Sequence, residues 1–339
     1  MTPEMMKAVR QHAFGGPEVL RYEDAPLPEL KAGELLVRVH AIGVNPPDWY
    51  LREGYKMLPP EWQPQVAFPV ILGTDISGTI EAVAEDFKGF AVGDKVYSMV
   101  RFPGGLAGGS RAYAEYVSVP ASKVAVKPTG IDHVHAAAAP MSLLTAWQFM
   151  IEQGHDVPNP LQPNQHVPVT LQGKAVLVNG AAGGVGHFAV QLARWKGARV
   201  IAVASGEHEA FLRDLGVEEF IDYTKTAAED VVRDVDLVVD AIGGPKTSRF
   251  LPTIKRAGSL FPIFGLGASG GEEADKLGIT ISTTQVRSSG AQLMEVGRLL
   301  DDGTIRVAID STFTLGDARK AHERAAKGHT RGKIVLTIA

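Results

Sequence analysis

The chain contains no cysteine among its 339 residues. That absence excludes disulfides, thiolate nucleophiles and cysteine-ligated zinc. A large excess of charge of either sign is missing too: 34 Lys and Arg stand against 38 Asp and Glu, a formal net charge of −4. Nothing in that balance draws the protein to a polyanion or an anionic bilayer, so no nucleic acid partner is expected. No apolar run is long enough for a membrane span; the uncharged stretch between His135 and Glu152 is short and carries Pro140. The opening Met-Thr-Pro-Glu-Met-Met-Lys lacks the apolar core of a signal peptide, and a cytoplasmic location is the default expectation. None of the ten histidines forms a His-x-x-x-His pair with an adjacent acid, and His133 and His135 read as a helix entry rather than ligands. No metal site is expected.

What the chain does have is glycine in one telling place. Lys174-Ala-Val-Leu-Val-Asn179 runs into Gly180-Ala181-Ala182-Gly183-Gly184-Val185-Gly186 and then into a helical pattern, with Val185, Phe188, Ala189, Leu192 and Ala193 on one face and Gly197 at its stop. A dinucleotide-binding βαβ unit requires this order, because a phosphate must meet bare backbone at a helix N-terminus. Arg199–Ala204 reads as a second buried strand, followed by a helix from Glu207 to Leu215 stopped by Gly216. Further strands follow at Phe220-Ile221, Val235 to Asp240 and Ser259 to Phe264, the last running into Gly265. Alternation on this rhythm predicts a doubly wound parallel sheet with its ligand at the carboxyl ends of the strands.

Residues 7 to about 127 have a different texture, with short alternating strands at Leu35–His40, Gly78–Val83, Asp94–Tyr97 and Ala114–Val117 broken by Gly, Pro and Asp. A length of 339 residues suits about two domains. The tail offers a helix at Gln292 to Leu300, a strand near Val307, a helix from Leu315 to Ala326 and a strand at Lys333 to Ile338, which needs a sheet to join and is expected to return to the first domain. The expected division is 1–127 with 292–339, and 128–291. Four prolines make His155 to Val169 a surface loop, and Gly104 to Gly109 reads as a mobile lip or a passive turn insertion.

Together these segments resemble a zinc-independent medium-chain dehydrogenase/reductase of the quinone oxidoreductase (zeta-crystallin-like) type. The marks are Gly43-Val-Asn-Pro-Pro-Asp48, Leu72-Gly-Thr-Asp-Ile-Ser-Gly78, Val92-Gly-Asp-Lys-Val96, Ala114-Glu-Tyr116, Leu144-Thr-Ala146, the Ala181 to Gly186 turn and Gly332-Lys-Ile-Val-Leu336. The resemblance implies an α/β protein with a GroES-like β-rich catalytic domain, a Rossmann domain and a homodimer. Where the zinc enzymes of this superfamily place a cysteine and a histidine, this chain has Asn45 and Thr74, so the Lewis acid that supports simple alcohol oxidation loses its usual ligands.

The position for an acid that holds the ribose diol is Ala204, followed by Ser205 and Gly206. That favours NADPH, with the Ser205 hydroxyl as a donor to the 2′-phosphate. By resemblance Tyr223 flanks that phosphate, while His208 stands where some relatives use a lysine and Glu207 sits beside it. Lys327 and Arg331 are possible compensating cations, or simply solvated residues. Ala181, Gly183, Gly184, Val185 and Gly186 are the cofactor loop. Thr145, Gly243 and Gly265 are cofactor contacts or packing positions, and Asp240 is either part of the site or only a strand end. By resemblance Asn45 contacts the nicotinamide region and Tyr50 lies beside the substrate, both in a loop from Asn45 to Tyr55. A phenol is protonated at neutral pH and donates to an oxyanion; packing beneath the cofactor is its alternative role, and Tyr55 is a second candidate. The expected activity is metal-free, NADPH-dependent hydride transfer to quinones or α,β-unsaturated carbonyl compounds. The alternatives are a carbonyl or polyketide-type enoyl reductase, or a low-turnover NADPH-binding or RNA-binding protein.

Overall fold

The computed structural model describes residues 4–63, 65–84, 89–100, 112–154, 166–265 and 270–338. Gly104 to Gly109 and most of the loop expected from His155 to Val169 lie outside the described residues. In chain order the strands and helices begin with β1 (Met5–Gln11), β2 (Leu20–Pro26), β3 (Glu34–Gly43), α1 (Pro46–Arg52), β4 (Val70–Ile71), β5 (Asp75–Val83), β6 (Lys95–Met99), β7 (Tyr116–Pro120), β8 (Val124–Val126), α2 (His133–Ala138) and α3 (Pro140–Met150). They continue with β9 (Ala175–Asn179), α4 (Gly186–Trp195), β10 (Arg199–Ala204), α5 (Glu209–Asp214), β11 (Glu219–Asp222), α6 (Ala228–Val231), β12 (Val235–Asp240), β13 (Ile254–Pro262), α7 (Gly271–Leu277) and β14 (Thr280–Ile281). The chain ends with α8 (Gly290–Asp301), β15 (Ile309–Thr314), α9 (Ala318–Ala326) and β16 (Lys333–Thr337).

Two compact units result: Met1–Met141 with Arg287–Gly303 and Val307–Ala339, and Ser142–Val286 with Thr304–Arg306. The first holds a three-stranded sheet ordered β2-β1-β4 and a larger sheet ordered β15-β16-β3-β5-β6-β8, with β7 on β3. Leu35, Val37, Val39, Ile42, Ile76 and Leu336 fill its core. The final strand does return to this sheet: β16 runs antiparallel to β3, pairing Val335 with Gly43, Leu336 with Ile42 and Thr337 with Ala41. The unit extends to Met141 rather than to residue 127 because α2 belongs to it. Ala137 and Ala138 pack on Ala41 and Val335, and Gly43 permits that approach, since a Cβ there would strike the Ala137 carbonyl.

The Asn45 to Tyr55 segment, expected as a loop, is a helix through Arg52. Pro46 and Pro47 open it, where proline's preset φ and missing N–H cost nothing. A weak apolar periodicity over seven residues hid the helix from pattern reading. β7 begins at Tyr116, and Ala114 makes only an isolated bridge to Ala8.

In the second unit six parallel strands are ordered β11-β10-β9-β12-β13-β14. Leu177, Val178, Val238 and Val239 are fully buried, as a parallel sheet covered on both faces requires. The order reverses at β9, so the chain leaves in opposite directions on its two sides and opens a crevice at the carboxyl ends. Gly197 and Gly216 take φ of +79° and +82° at the expected helix stops. β13 starts at Ile254, earlier than its apolar run suggests, because Ala257 at φ +63° carries the strand through an irregularity.

Leu336 is fully buried in β16. Leu336→Ala is expected to cost about 2–5 kcal/mol, lowering the urea midpoint of the transition that reports the first unit. An unchanged midpoint would mean that the returning strand adds nothing to that core.

Candidate functional site

In the first unit the positions matching the superfamily's zinc ligands form a buried hydrogen-bonded cluster. Asn45 Nδ2 donates to Thr74 Oγ1 and Asp75 Oδ2, each at 3.0 Å, and to the Gly43 carbonyl at 3.3 Å. Its Oδ1 accepts from Lys333 Nζ, which also donates to the Val44 carbonyl at 2.9 Å. Asn45, Thr74, Asp75 and Lys333 are all buried. Burial lowers the Lys333 ammonium's pKa, with Asp75 and Asp48 acting against that shift. Among the described residues no group of three or more His, Cys, Asp or Glu could hold a metal ion.

Asp48 connects this cluster to α1. Its Oδ2 accepts from the Asn45 N–H at 2.8 Å, the reciprocal half of a capping box, and from the Tyr113 hydroxyl at 3.1 Å. Arg52 Nη1 lies 2.8 Å from His322 Nδ1, which must therefore accept, so His322 Nε2 carries the proton and donates to Tyr113 at 3.0 Å. Burial pushes His322 down to about 3 and keeps it neutral. The chain Arg52–His322–Tyr113–Asp48 thus fixes the helix that carries Tyr50. Burial, aided by Glu53, raises the Tyr50 phenol; burial also raises Tyr55, aided by Asp48 and Tyr50. The two rings lie 6.3 Å apart, and Tyr55 adopts φ +52° beyond the helix end.

Burial, reinforced by Asp75, pushes Asp48 up to about 7 from 3.8. A folded-state pKa above the unfolded value means that the folded protein holds a proton the unfolded chain releases. The associated stability is full below 3.8 and disappears as pH rises through about 7. Asp48→Asn keeps an oxygen for both donors. Its thermal midpoint relative to wild type is expected to climb from pH 4 towards 7 and to level off above, following the window set by the shift from 3.8 to about 7; a flat difference across that range would show that Asp48 does not titrate there.

In the second unit the register places the ends of five strands along one edge: Asn179 is in register with Val203 and Asp240, Ala204 with Asp222, and Asp240 with Pro262. Ala181 to Gly186, Ser205, His208, Tyr223, Gly243 and Gly265 all follow these ends. Gly180, at φ +71°, turns the chain, and its carbonyl accepts from Gly183 N at 3.0 Å. A Cβ on Gly186 would strike that same carbonyl, so the loop closes only around glycine. In the first turn of α4 the His187 N–H donates to the Gly183 carbonyl at 3.1 Å and the Phe188 and Ala189 N–H groups to the Val185 carbonyl, so the helix starts directly from the glycine turn, and the positive end of its dipole there suits a diphosphate.

Asp240 is more than a strand end. Its Oδ1 accepts from Asn179 Nδ2 at 2.7 Å and from the Gly243 N–H at 3.0 Å, and its Oδ2 from Thr247 Oγ1 at 2.6 Å. This ties β9 to β12 and holds the turn that sets Gly243 at φ +66°. A Cβ on Gly265 would meet Thr283 Cγ2 at 2.7 Å. Thr145 is buried on α3, and Tyr223 is exposed. Asn179, Tyr113, His322 and Lys333 escaped sequence reading; only the Asn45-x-x-Asp48 spacing carried a readable signal, that of a capping box.

Residues 31–129 match an alcohol dehydrogenase GroES-like domain, and residues 215–336 a zinc-binding dehydrogenase domain. The chain is 31% identical over 360 residues to the mitochondrial NAD(P)H oxidoreductase RTN4IP1 of Mus musculus, covering 96% of this chain and 87% of that protein. It is 30% identical over 359 residues to the chloroplastic quinone-oxidoreductase QR1 of Triphysaria versicolor, covering 99% of both. Among solved structures it is similar to the quinone oxidoreductase from Coxiella burnetii, with a TM-score of 0.84, 30% identity, and 99% and 100% of the two chains covered. The second domain model is described as zinc-binding, but an amide and a hydroxyl bonded to each other stand at the superfamily's ligand positions. With this fold, these relatives and this donor set, the chain belongs to the zinc-independent quinone oxidoreductase family of medium-chain dehydrogenase/reductases and is an oxidoreductase that uses a nicotinamide cofactor.

Proposed function

We propose that this oxidoreductase uses NADPH to reduce quinones or α,β-unsaturated carbonyl compounds without a metal. The observation that carries the cofactor preference is the end of β10, where Ala204 and the buried Ser205 stand in place of a ribose-binding carboxylate, directly after Val203, which is in register with Asn179 at the start of the glycine turn. Ala181, Gly183, Gly184, Val185 and Gly186 would hold the diphosphate, Ser205, His208 and Tyr223 the adenosine end, and Thr145, Gly243 and Gly265 the nicotinamide end. The bound cofactor supplies a hydride to an electron-poor carbon, and negative charge then develops on the conjugated oxygen of the substrate.

Tyr50 is assigned to meet that charge. Its raised pKa keeps the phenol protonated throughout the neutral range, so it can donate to the forming oxyanion. The Asn45 amide is already committed to Thr74, Asp75 and Lys333. Asn45 therefore serves this site by fixing the start of α1 and hence the placement of Tyr50.

The test follows loss of reduced-nicotinamide absorbance from NADPH and NADH separately, with 1,4-quinones and α,β-unsaturated ketones offered in the presence of a chelator. Chelator-insensitive turnover with NADPH is the expected outcome; tight NADPH binding with no turnover on either acceptor class would favour a binding protein instead. Tyr50→Phe is expected to lower kcat by about a hundredfold with nucleotide affinity unchanged, and undiminished turnover would remove Tyr50 as the donor. Gly186→Ala is expected to weaken nucleotide binding by about tenfold or more with the far-UV circular dichroism spectrum unchanged. Retained affinity would show that the loop is not the phosphate cradle.

A further inference from the structure

The turn after β10 carries a carboxylate whose position bears on nucleotide choice. Ser205 leads into a short 3-10 turn, Gly206–His208, and its hydroxyl is already in use: Ser205 Oγ donates to Glu207 Oε1 at 3.1 Å. His208 Nε2 lies 3.8 Å from the same oxygen, and the Glu207 side chain is 65% exposed. A second carboxylate closes the other side. Asp222 ends β11 opposite Ala204, and it lies so near the turn that a Cβ on Gly206 would be 2.5 Å from Asp222 Oδ2. The Thr224 hydroxyl and N–H, together with Lys225, hold Asp222 below the usual carboxylate range. Asp222 is therefore available as an anion, and the Ser205 hydroxyl expected to greet a phosphate faces the Glu207 carboxyl group.

We propose that Glu207 is the residue that sets how far this chain prefers NADPH over NADH. This rests on the reading that the turn receives the adenosine ribose of a nicotinamide nucleotide. A ribose 2′-hydroxyl can donate to Glu207, as the Ser205 hydroxyl does in the structure. A 2′-phosphate cannot donate: it must take the Ser205 proton away from Glu207 and stay beside a like charge, which costs affinity. Ala204 admits the phosphate and Glu207 taxes it, so the native preference for NADPH is shallow. Glu207 is a specificity residue and takes no part in hydride transfer.

The test measures dissociation constants of NADPH and NADH for the full-length protein, its Glu207→Gln variant and its Ser205→Ala variant, at low and at high salt. Glu207→Gln removes the charge while keeping the shape. It is expected to tighten NADPH about tenfold at low salt, an effect that shrinks at high salt as exposed charges are screened, and to leave NADH within twofold or weaken it. Ser205→Ala is expected to weaken NADPH more than NADH. A Glu207→Gln variant whose NADPH to NADH affinity ratio stays within twofold of wild type overturns the proposal while leaving the nucleotide reading intact. A wild-type protein that binds neither nucleotide overturns both. Unchanged NADH binding by Glu207→Gln also shows that the variant is folded.

Discussion

Lys333 places an ammonium in the interior of the first unit, and much of that unit is arranged around making this tolerable. Removing such a charge from water costs several kcal/mol unless close partners and hydrogen bonds offset the loss. Here the Val44 carbonyl and Asn45 Oδ1 accept from it, while Asp75 and Asp48 stabilise its charged form. The contact also fixes topology. Lys333 opens β16, and Asn45 follows the end of β3, the strand that β16 pairs with. A slip of one residue in that pairing would turn Lys333 to the other face of the sheet and leave the cluster without its cation. Register and charge compensation are thus one requirement, imposed between segments 288 residues apart.

The second unit meets its own constraint with different means. Its candidate nucleotide edge has to present backbone, so bulk and charge are kept away from the Gly180 to Gly186 turn. Order comes from the neighbouring Asn179–Asp240 contact. That pair joins the carboxyl ends of adjacent central strands, and the lone pairs left on Asp240 capture the N–H groups of Ile242 and Gly243 and the Thr247 hydroxyl. A single buried carboxylate therefore shapes the turn next to the glycine loop. In the first unit the polar interior fixes side chains; in the second it fixes main chain.

This contrast explains which features were readable from sequence. The parallel sheet announced itself because runs such as Leu177-Val178 and Val238-Val239 are buried on both faces, and because glycine is obligatory where Gly186 meets the Gly180 carbonyl. Both are local signals. The helix at Pro46–Arg52 had the opposite character: it is short and held by Asp48 and Arg52, whose partners come from Tyr113 and from His322 near the other end of the chain. No periodicity in seven residues could report bonds made that far away. Asp240 read equally well as a strand terminus or a functional group, and only the three-dimensional register with Asn179 resolves it. Glu207 was visible as a neighbour of the ribose turn, but the hydrogen bond from Ser205 depends on the backbone of the turn itself.

The same buried chain bears on the acidity of the proposed donor. A free guanidinium near Tyr50 would favour the phenolate and spoil a proton donor. Arg52 lies on the same short helix, yet its donors are spent on the Gly15 carbonyl, Glu53 and His322. Glu53 then acts on Tyr50 as a negative neighbour and adds to the upward shift that burial begins. The neutral state of His322 matters for the same reason, because a protonated imidazole would add positive charge to this cluster and could no longer accept from Arg52. Burial of the helix, consumption of its one guanidinium and suppression of its imidazolium act in one direction, towards a phenol that stays protonated. In a site without a Lewis acid, a weakly acidic hydroxyl is the group best suited to stabilise charge that appears only as hydride arrives, since it donates to the oxyanion without binding an anion permanently beforehand.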